Sequence, residues 1–191
     1  MKTKVLSTTQ IEQKINRLAH QLYENNYNEK DIVVLGIVDR GYVLAKRIVK
    51  VLNEISDMKV HLGEVKVNKQ DPMNGEITFS LENSELKDKV VFLVDDVINS
   101  GKTMIYVVNE ILKVPVNKLR TLVLVDRKHN SYPIRADYVG VSLSTTLQEH
   151  VVVNLDEGRD VVELHWIKSL ILSAISFDVE LPILMVCFAF E

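Results

Sequence analysis

The chain alternates between short, almost wholly apolar runs and longer segments whose apolar residues recur every three or four positions. Residues 31–39 (DIVVLGIVD) and 90–97 (VVFLVDDV) are runs of the first kind, which predicts strands covered on both faces. Residues 41–55 and 99–112 are of the second kind and predict helices with one apolar face. Because the two kinds follow each other in β-α-β order, the pattern predicts an α/β fold with a mostly parallel central sheet and helices on both faces.

The first 30 residues predict a further helix, because Ile11, Ile15, Leu18 and Leu22 share one helical face behind the cap candidates Ser7, Thr8 and Thr9. Four other segments alternate or run apolar as strands do, and a fifth looks like a strand or ribbon arm. They are residues 59–68, 118–127, 136–144 and 149–157, and residues 77–83 as the arm.

Length and charge narrow the class of protein. With 191 residues, 47% hydrophobic and 26% charged, one compact domain is expected, here residues 1–165. The formal net charge of −3 gives no overall attraction to nucleic acid, so any such contact needs a local basic patch. One cysteine, Cys187, and the lack of an export-type apolar segment at the N-terminus indicate a cytoplasmic protein.

The tail from residue 166 to 191 is an apolar extension of the predicted domain. Asp178, Glu180 and Pro182 interrupt it, so it falls short of the roughly 18 apolar residues of a membrane span. The prediction is therefore no membrane insertion. The segment packs on the domain or on a subunit partner, or lies outside the regular fold, and the sequence leaves these alternatives open.

The most informative stretch places Asp95 and Asp96 where a parallel strand ends, directly before a loop that opens a helix. Ligands of open α/β sheets bind at that edge, and two adjacent carboxylates there need a cation, hydroxyl donors or solvent. Residues 99–103 (NSGKT) form a small-residue turn whose free N–H groups and helix dipole favour an anion. A diol site beside a phosphate site predicts recognition of a ribose 5-phosphate.

Two other interpretations of this stretch are a nucleotide P-loop and a capped helix after a solvated turn. A nucleotide P-loop requires glycine five positions before Gly101, where this chain has Asp96, so the G-x-x-x-x-G-K-[ST] pattern is not matched. In the second interpretation Ser100 and Thr103 are helix caps and the acids belong to a solvated turn. The coincidence of strand, acid pair, small loop and helix in one run favours the ligand site.

Residues 90–103 resemble the phosphoribosyl pyrophosphate (PRPP) motif of type I phosphoribosyltransferases, whose fold adds a small hood and lid to the α/β sheet. The resemblance implies that Asp95 and Asp96 orient the ribose hydroxyls and hold Mg²⁺, directly or through water, and that the loop binds the 5′-phosphate. Residues 36–48 (GIVDRGYVLAKRI) resemble the family's pyrophosphate loop, with Arg40 as a catalytic residue beside the two acids. The full implied PRPP site is Asp39, Arg40, Gly41, Asp95, Asp96, Val97, Asn99, Ser100, Gly101, Lys102 and Thr103.

The same resemblance implies the remaining parts of a transferase site. The polar segment 67–75, with Lys69 and Asp71, corresponds to a lid that closes over PRPP. Mg²⁺ is the implied cofactor, bridging diphosphate and ribose oxygens. The implied base-binding residues are Arg127, Val139, Ser142 and Leu143.

Within this family, residues 11–162 resemble the pyrimidine operon attenuation regulators that also have uracil phosphoribosyltransferase activity. Residues 122–140 (LVLVDRKHNSYPIRADYVG) carry most of that likeness. It implies conversion of uracil and PRPP to UMP and pyrophosphate, and a homodimer or homotetramer. It also implies possible RNA contacts at His20, His129 and Arg135.

Departures from that branch keep three functions open. Val141 and residues 142–146 (SLSTT) replace a lysine and an Ile-Pro-Thr turn near the base pocket, and Asn16 and Asn130 alter the RNA face. One cation fewer weakens salt-dependent RNA affinity. Purine enzymes of the family usually carry an aspartate where this chain has Asn99, which cannot accept a proton as a carboxylate does. The alternatives to a uracil transferase are thus an RNA-binding nucleotide sensor and a hypoxanthine or guanine transferase.

Overall fold

The structure is a computed structural model that describes residues 2–146, 148–156 and 158–166. Residues 167–191 lie outside the described residues. They include Cys187 and make up nearly all of the predicted apolar extension. Within the described part, no helix is both long enough and apolar enough to cross a membrane.

The order of elements follows the β-α-β pattern predicted from the sequence. The helices are α1 (Thr8–Glu24), α2 (Arg40–Ile55), α3 (Asn83–Leu86) and α4 (Lys102–Ile111). The strands are β1 (Lys2–Leu6), β2 (Asp31–Ile37), β3 (Lys59–Lys66), β4 (Thr78–Phe79), β5 (Val90–Ile98), β6 (Lys118–Asp126), β7 (Tyr138–Ser142), β8 (Glu149–Asn154) and β9 (Val161–Trp166). The predicted arm at residues 77–83 is reduced to the two-residue strand β4.

The central sheet has six strands in the order β4-β3-β2-β5-β6-β7. Five of them run parallel, and β4 pairs antiparallel with β3 at one edge. At the carboxyl end, Ile98 of β5 pairs with Asp126 of β6, which pairs with Ser142 of β7. The predicted mostly parallel sheet is confirmed.

Helices cover both faces of this sheet, as predicted. Successive residues of a strand point to opposite faces, so Ile32 and Val34 of β2 join one core whereas Val33 and Leu35 join another. The first core contains the apolar faces of α1 and α2, and the second contains that of α4. Burial on both faces explains why the strands are apolar throughout rather than alternating.

Helix α1 begins where one of the three cap candidates supplies a capping box. The Ser7 hydroxyl accepts a hydrogen bond from the Gln10 backbone N–H, and the Gln10 side chain accepts one from the Ser7 backbone N–H at 2.9 Å. Thr8 lies inside the helix, and its hydroxyl donates to the carbonyl of Asp160 at 2.9 Å. The N-terminus of α1 is thereby attached to the segment before β9.

A second sheet, called the hood sheet below, consists of β1, β9 and β8 in antiparallel order. The sequence analysis predicted a small hood from family resemblance but did not identify β9. The hood sheet is tied to α2 by a bidentate ion pair, in which Arg47 donates to the buried Asp160 from Nη1 at 2.5 Å and from Nη2 at 3.0 Å.

The sheet has a topological switch point between β2 and β5. These strands are neighbours, but the chain leaves β2 through α2 toward β3 on one side and leaves β5 through α4 toward β6 on the other. The two loops therefore diverge at the carboxyl ends and leave a crevice between them, the usual ligand position in such sheets. The predicted site residues of both loops border this crevice.

Candidate functional site

A cavity of about 320 Å³ lies at the switch point. Its lining comes from the end of β5, the start of α4, the first residue of α2, the lid segment and the hood sheet. The lining residues are Arg40, Lys69, Asp95, Asp96, Val97, Ile98, Asn99, Ser100, Gly101, Lys102, Thr103, Met104 and Val151. Nine of the predicted PRPP residues thus share one cavity, together with Lys69 of the predicted lid.

The two acids are the most buried charged groups of the cavity wall, with 5% of Asp95 and 6% of Asp96 exposed. Asp95 Oδ1 accepts hydrogen bonds at 3.0 Å from Lys69 Nζ and at 3.0 Å from the Asp96 backbone N–H. Lys69 Nζ also lies 3.7 Å from Asp96 Oδ1. One ammonium group therefore compensates both carboxylates.

Burial, together with the adjacent charge of Asp96, raises the pKa of Asp95 to about 7. The Lys69 ammonium acts in the opposite direction and lowers this pKa without cancelling the effect of burial. A carboxyl that titrates near neutrality at the end of a strand, in a cavity, is the kind of group found at functional sites.

Arg40, the first residue of α2, joins the acid pair to the hood sheet. Its Nε lies 3.4 Å from Asp96 Oδ2, and its Nη1 donates to the carbonyl of Val153 in β8 at 2.6 Å. Half of the Arg40 side chain stays exposed. Its remaining donors can therefore reach an anion in the cavity.

The loop between β2 and α2 has the geometry of an anion site. Asp39 has φ 70° and ψ −121°, and its side chain makes no hydrogen bond that caps α2. A non-glycine residue in this region costs about 1–3 kcal/mol. Gly41 follows so close to β5 that a Cβ would lie 2.8 Å from Asp95 Oδ1 and 3.0 Å from the Val94 carbonyl. The uncapped N–H groups of α2 are thus held beside the acid pair.

The loop between β5 and α4 forms the other side of the cavity. Gly101 is the N-cap of α4 and has φ 82°, a conformation that favours glycine, and the Ser100 hydroxyl accepts a hydrogen bond from the Lys102 backbone N–H at 3.3 Å. The Ser100 carbonyl accepts hydrogen bonds from the backbone N–H groups of Ser131 at 3.0 Å and Tyr132 at 3.1 Å. This phosphate loop is therefore braced from behind by the connection between β6 and β7.

The lid segment is built as a polar turn, and its two predicted residues have different environments. Lys69 reaches the acid pair, whereas Asp71 is half-buried and accepts a hydrogen bond from Asn74 at 2.9 Å. The bond from Asn74 lowers the pKa of Asp71, with a smaller effect from the Lys102 charge. Asn68 Oδ1 accepts from the backbone N–H groups of Gln70 and Asp71 and shapes the turn.

The predicted base-binding residues do not line this cavity. Arg127 is buried and donates to the side chain of Thr145 and to the carbonyl of Glu149. The Val139 carbonyl accepts a hydrogen bond from Arg17 Nη2 of α1 at 2.8 Å. Ser142 and Leu143 lie at the end of β7, on the same sheet edge as the cavity, so a role in base binding stays a prediction for them.

The predicted RNA contacts are spread over two elements. His20 lies exposed on α1, where its Nδ1 is 2.8 Å from the Asn16 carbonyl. His129 directs Nε2 inward to the Thr145 carbonyl at 2.5 Å, and Arg135 is exposed on the connection between β6 and β7. Among the described residues, no hydrogen bond joins these three side chains.

Several residues of the site were missed in the sequence, among them Ile98 and Met104, which line the cavity. Val151 lines the cavity, the Val153 carbonyl holds Arg40, and Arg17 binds the edge strand β7. Strand β8 itself was predicted, but nothing local shows that it lies over the end of β5. Its pairing with β9, which in turn pairs with β1, places it there, together with contacts from distant segments such as Arg40.

Comparisons with known proteins agree with this geometry. A family model described as "phosphoribosyl transferase domain" matches residues 2–159. The bifunctional protein PyrR of Clostridium acetobutylicum is 36% identical over 162 residues, covering 81% of this chain and 91% of that protein. The protein of the same name from Streptococcus suis is 35% identical over 170 residues, covering 86% and 98%.

Solved structures with the same fold include two purine enzymes. The hypoxanthine-guanine phosphoribosyltransferase of Bacillus anthracis has a TM-score of 0.68 and 19% identity over 86% of this chain and 99% of that chain. The hypoxanthine phosphoribosyltransferase of Trypanosoma cruzi has a TM-score of 0.71 and 16% identity over 86% and 97%. At these identities the likeness concerns the fold.

Proposed function

The chain belongs to the phosphoribosyl transferase domain family and is a phosphoribosyltransferase, and from this we propose that it converts uracil and PRPP to UMP and pyrophosphate. The family inferred from the sequence motifs is thereby confirmed. The base is proposed from the relatives named PyrR, which match most of the chain at 31–36% identity. The residue roles below are proposals too.

One observation carries the proposal: a single cavity holds a buried acid pair, an arginine at the uncapped start of α2, and the small-residue loop that begins α4. PRPP offers a matching set of groups, namely ribose hydroxyls, a diphosphate and a 5′-phosphate. The hydroxyls donate to Asp95 and Asp96, the diphosphate accepts from Arg40 and the start of α2, and the 5′-phosphate accepts from residues 99–103.

The reaction displaces pyrophosphate from the anomeric carbon, which develops positive charge as the bond breaks. Arg40 stabilises the charge of the departing diphosphate, and the buried carboxylates lie on the ribose side, where positive charge grows. The lid with Lys69 closes over the cavity and limits water, which would otherwise compete with the base. The main contribution of the protein is to position the two reactants.

Mg²⁺ fits the donor set of this site. Asp95 and Asp96 supply the hard oxygen ligands that Mg²⁺ prefers, and among the described residues no cluster of three or more potential ligands would enclose an ion. The two carboxylates would hold the ion, directly or through water, while substrate oxygens complete its shell. When bound, Mg²⁺ supplies positive charge to the diphosphate.

A pyrimidine is favoured over a purine by the residue at position 99. Asn99 lines the cavity next to the phosphate loop, and its amide cannot take a proton from a purine ring nitrogen as a carboxylate can. RNA binding is the second role in the sequence prediction. His129 Nε2 and the Asn130 side chain both contact backbone carbonyls, of Thr145 and Ile134, which leaves fewer polar groups for RNA.

The test is nucleotide formation from PRPP and Mg²⁺ with uracil, hypoxanthine or guanine supplied separately. We expect UMP from uracil and at least about 100-fold lower kcat/KM with either purine, because a site lacking the matching polar group rejects a base strongly. Protein with both Asp95→Asn and Asp96→Asn serves as the control and should form no product. Purine nucleotides as the main product would refute the uracil proposal, and no product from any base would favour a sensor role.

The raised pKa of Asp95 predicts a pH dependence of PRPP–Mg²⁺ binding. Affinity should rise as the pH increases through about 7, because the ionised carboxylate of Asp95 accepts hydrogen bonds from ribose hydroxyls more strongly than the protonated form and also attracts Mg²⁺. Lys69→Met removes a cation that lowers this pKa, so the midpoint should move to higher pH. Calorimetric titrations between pH 5.5 and 8.5 measure the midpoint.

Lys66→Met is the matched control for that series, since Lys66 is exposed near the end of β3 and does not line the cavity. It should leave the midpoint unchanged. If Lys69→Met and Lys66→Met gave the same midpoint as the unmodified protein, Lys69 would not be the counter-ion of the acid pair in solution.

A further inference from the structure

We propose that Arg127 and His129 are positioning residues for the nucleobase, which act by fixing the connection between β7 and β8 and, through it, the hood strand that closes the cavity. This inference rests on the proposed transferase function and deepens it. It assigns both residues roles that differ from the direct base and RNA contacts predicted from the sequence.

The Arg127 side chain contacts the β7–β8 connection at Thr145 and strand β8 at its first residue, Glu149. Its Nε and Nη2 lie 3.2 Å from Thr145 Oγ1, and Nη2 donates to the Glu149 carbonyl at 2.5 Å. The backbone N–H of Arg127 donates to the Ile98 carbonyl at 3.1 Å, and Ile98 lines the cavity. Arg127 thus ties the start of β8, through its side chain, to the end of β5, through its backbone N–H.

His129 reaches the same point of the connection from two residues farther along. Its Nε2 lies 2.5 Å from the Thr145 carbonyl, and because a carbonyl only accepts, Nε2 must carry the hydrogen. Arg127 binds the Thr145 side chain and His129 binds its backbone. Thr145 is therefore held from two directions.

The position of this connection determines where strand β8 of the hood sheet lies relative to the cavity. Glu149 is the first residue of β8, Val151 lines the cavity two residues later, and the Val153 carbonyl fixes Arg40. A shift at Glu149 would move Val151 relative to the acid pair. Misplacement of a reactant by about 1 Å can cost roughly 100-fold in rate.

The segment that carries Arg127 and His129 also braces the phosphate loop. Ser131 and Tyr132 donate backbone hydrogen bonds to the Ser100 carbonyl, and a Cβ on Gly101 would lie 2.6 Å from Ile134. One short segment thus contacts the phosphate loop at one end and the β7–β8 connection at the other. It sets the width of the space left for the base between them.

A guanidinium suits this role better than an apolar staple would. A hydrophobic side chain of similar volume could hold two elements together at a lower desolvation cost, but it would not fix their relative orientation. The planar fork adds direction, because it fixes a hydroxyl and a carbonyl at the two ends of one loop. Only 5% of the surface of Arg127 is exposed, so its guanidinium depends on protein groups for its hydrogen bonds.

Thr145→Val tests the proposal because it removes the hydroxyl that Arg127 binds and keeps the shape of the side chain. We expect the KM for uracil to rise about 10-fold with the KM for PRPP unchanged within about 2-fold, since Arg127 binds the first residue of β8 whereas Arg40 is held by Val153 near its other end. Thr145→Ser keeps the hydroxyl and should behave as the unmodified protein. Arg127→Lys keeps the charge without the fork and should resemble Thr145→Val.

The fluorescence of Trp166 gives a readout that needs no turnover. Trp166 is the one tryptophan of the sequence, and in the β8–β9 ladder it pairs with Glu149, whose carbonyl Arg127 binds. Its emission should shift in Thr145→Val and in Arg127→Lys but not in Thr145→Ser. Its exposed fraction of 45% leaves it sensitive to small displacements of β8.

The outcomes separate this inference from the proposed function. An unchanged KM for uracil in Thr145→Val, or an equal rise of both KM values, would overturn the positioning role. If the unmodified protein converted no base, the proposed function would fail, and the Trp166 emission would decide the inference: an unchanged spectrum in Thr145→Val overturns it, whereas a shift supports it.

Discussion

Asp95→Asn is expected to abolish UMP formation, with kcat/KM lowered at least about 1,000-fold, and at the same time to stabilise the folded protein. Activity is lost because the neutral amide neither attracts the cationic ribose centre nor holds Mg²⁺. Stability rises because the change removes a buried charge whose unfavourable environment raises the pKa of Asp95 to about 7. Asparagine has nearly the same shape, so Gly41 beside it keeps its place.

The pH dependence of that gain follows from the direction of the shift. Between about pH 4 and 7 the folded state holds the Asp95 proton while the unfolded state has released it, so stability falls as the pH rises through this window. The gain from Asp95→Asn should therefore be small near pH 4 and reach about 1–3 kcal/mol in the free energy of unfolding above pH 7. Denaturant titrations at pH 5 and pH 8 measure it.

Asp160→Asn is the matched control, since it makes the same change at another buried aspartate. Asp160 is paired with Arg47 through two hydrogen bonds, so the change removes the negative charge from a bidentate ion pair whose carboxylate is buried. This variant should lose about 3 kcal/mol in the free energy of unfolding. If Asp95→Asn destabilised the protein as Asp160→Asn does, the acid pair would be a structural ion pair rather than a strained ligand site.

The sequence predicted the parts of this site that are contiguous along the chain. Strand β5, the acid pair and the start of α4 follow one another within residues 90–112, so local periodicity and turn chemistry place them. The core faces of α1 and α2 were predicted for the same reason. The spacing of their apolar residues shows which face of each helix packs against the core.

The missed features depend on contacts between distant segments. Lys69 lies 26 residues from Asp95 in sequence, and Arg40 lies 113 residues from Val153. Strand β9 has a sequence, VVELHW, whose polar residues weaken the strand signal, and pairing with β1 and β8 stabilises it. Such register cannot be obtained from periodicity, because it depends on tertiary packing.

Arg127 shows the same limit for a single residue. Family resemblance implied a contact with the base, but the end of β6 directs the side chain to the loop that follows β7. The motif identified the residue, whereas the partners of its guanidinium depend on where that loop crosses the sheet edge. Resemblance therefore gave the position of Arg127 but not the protein groups that its guanidinium contacts.

Gly41→Ala is expected to lower kcat/KM for PRPP about 100-fold or more through a single methyl group. Its Cβ would lie 2.8 Å from Asp95 Oδ1, 3.0 Å from the Val94 carbonyl and 3.1 Å from the Asp95 Cα. Two of these atoms are backbone of the central strand β5, which cannot move without disturbing its pairing on both sides. The start of α2 must therefore retreat, and the N–H groups proposed to hold the diphosphate retreat with it.

Steady-state kinetics with PRPP as the varied substrate test this expectation, and the free energy of unfolding should fall by about 1–3 kcal/mol from overpacking. Gly158→Ala is the control: a Cβ there meets no atom within 4 Å, and its φ of 80° adds only local backbone strain of about 1 kcal/mol. It should lose stability without a change in KM for PRPP. If Gly41→Ala retained the unmodified kcat/KM, the diphosphate would have to bind away from the start of α2, and the acid pair would then contact PRPP without help from that helix.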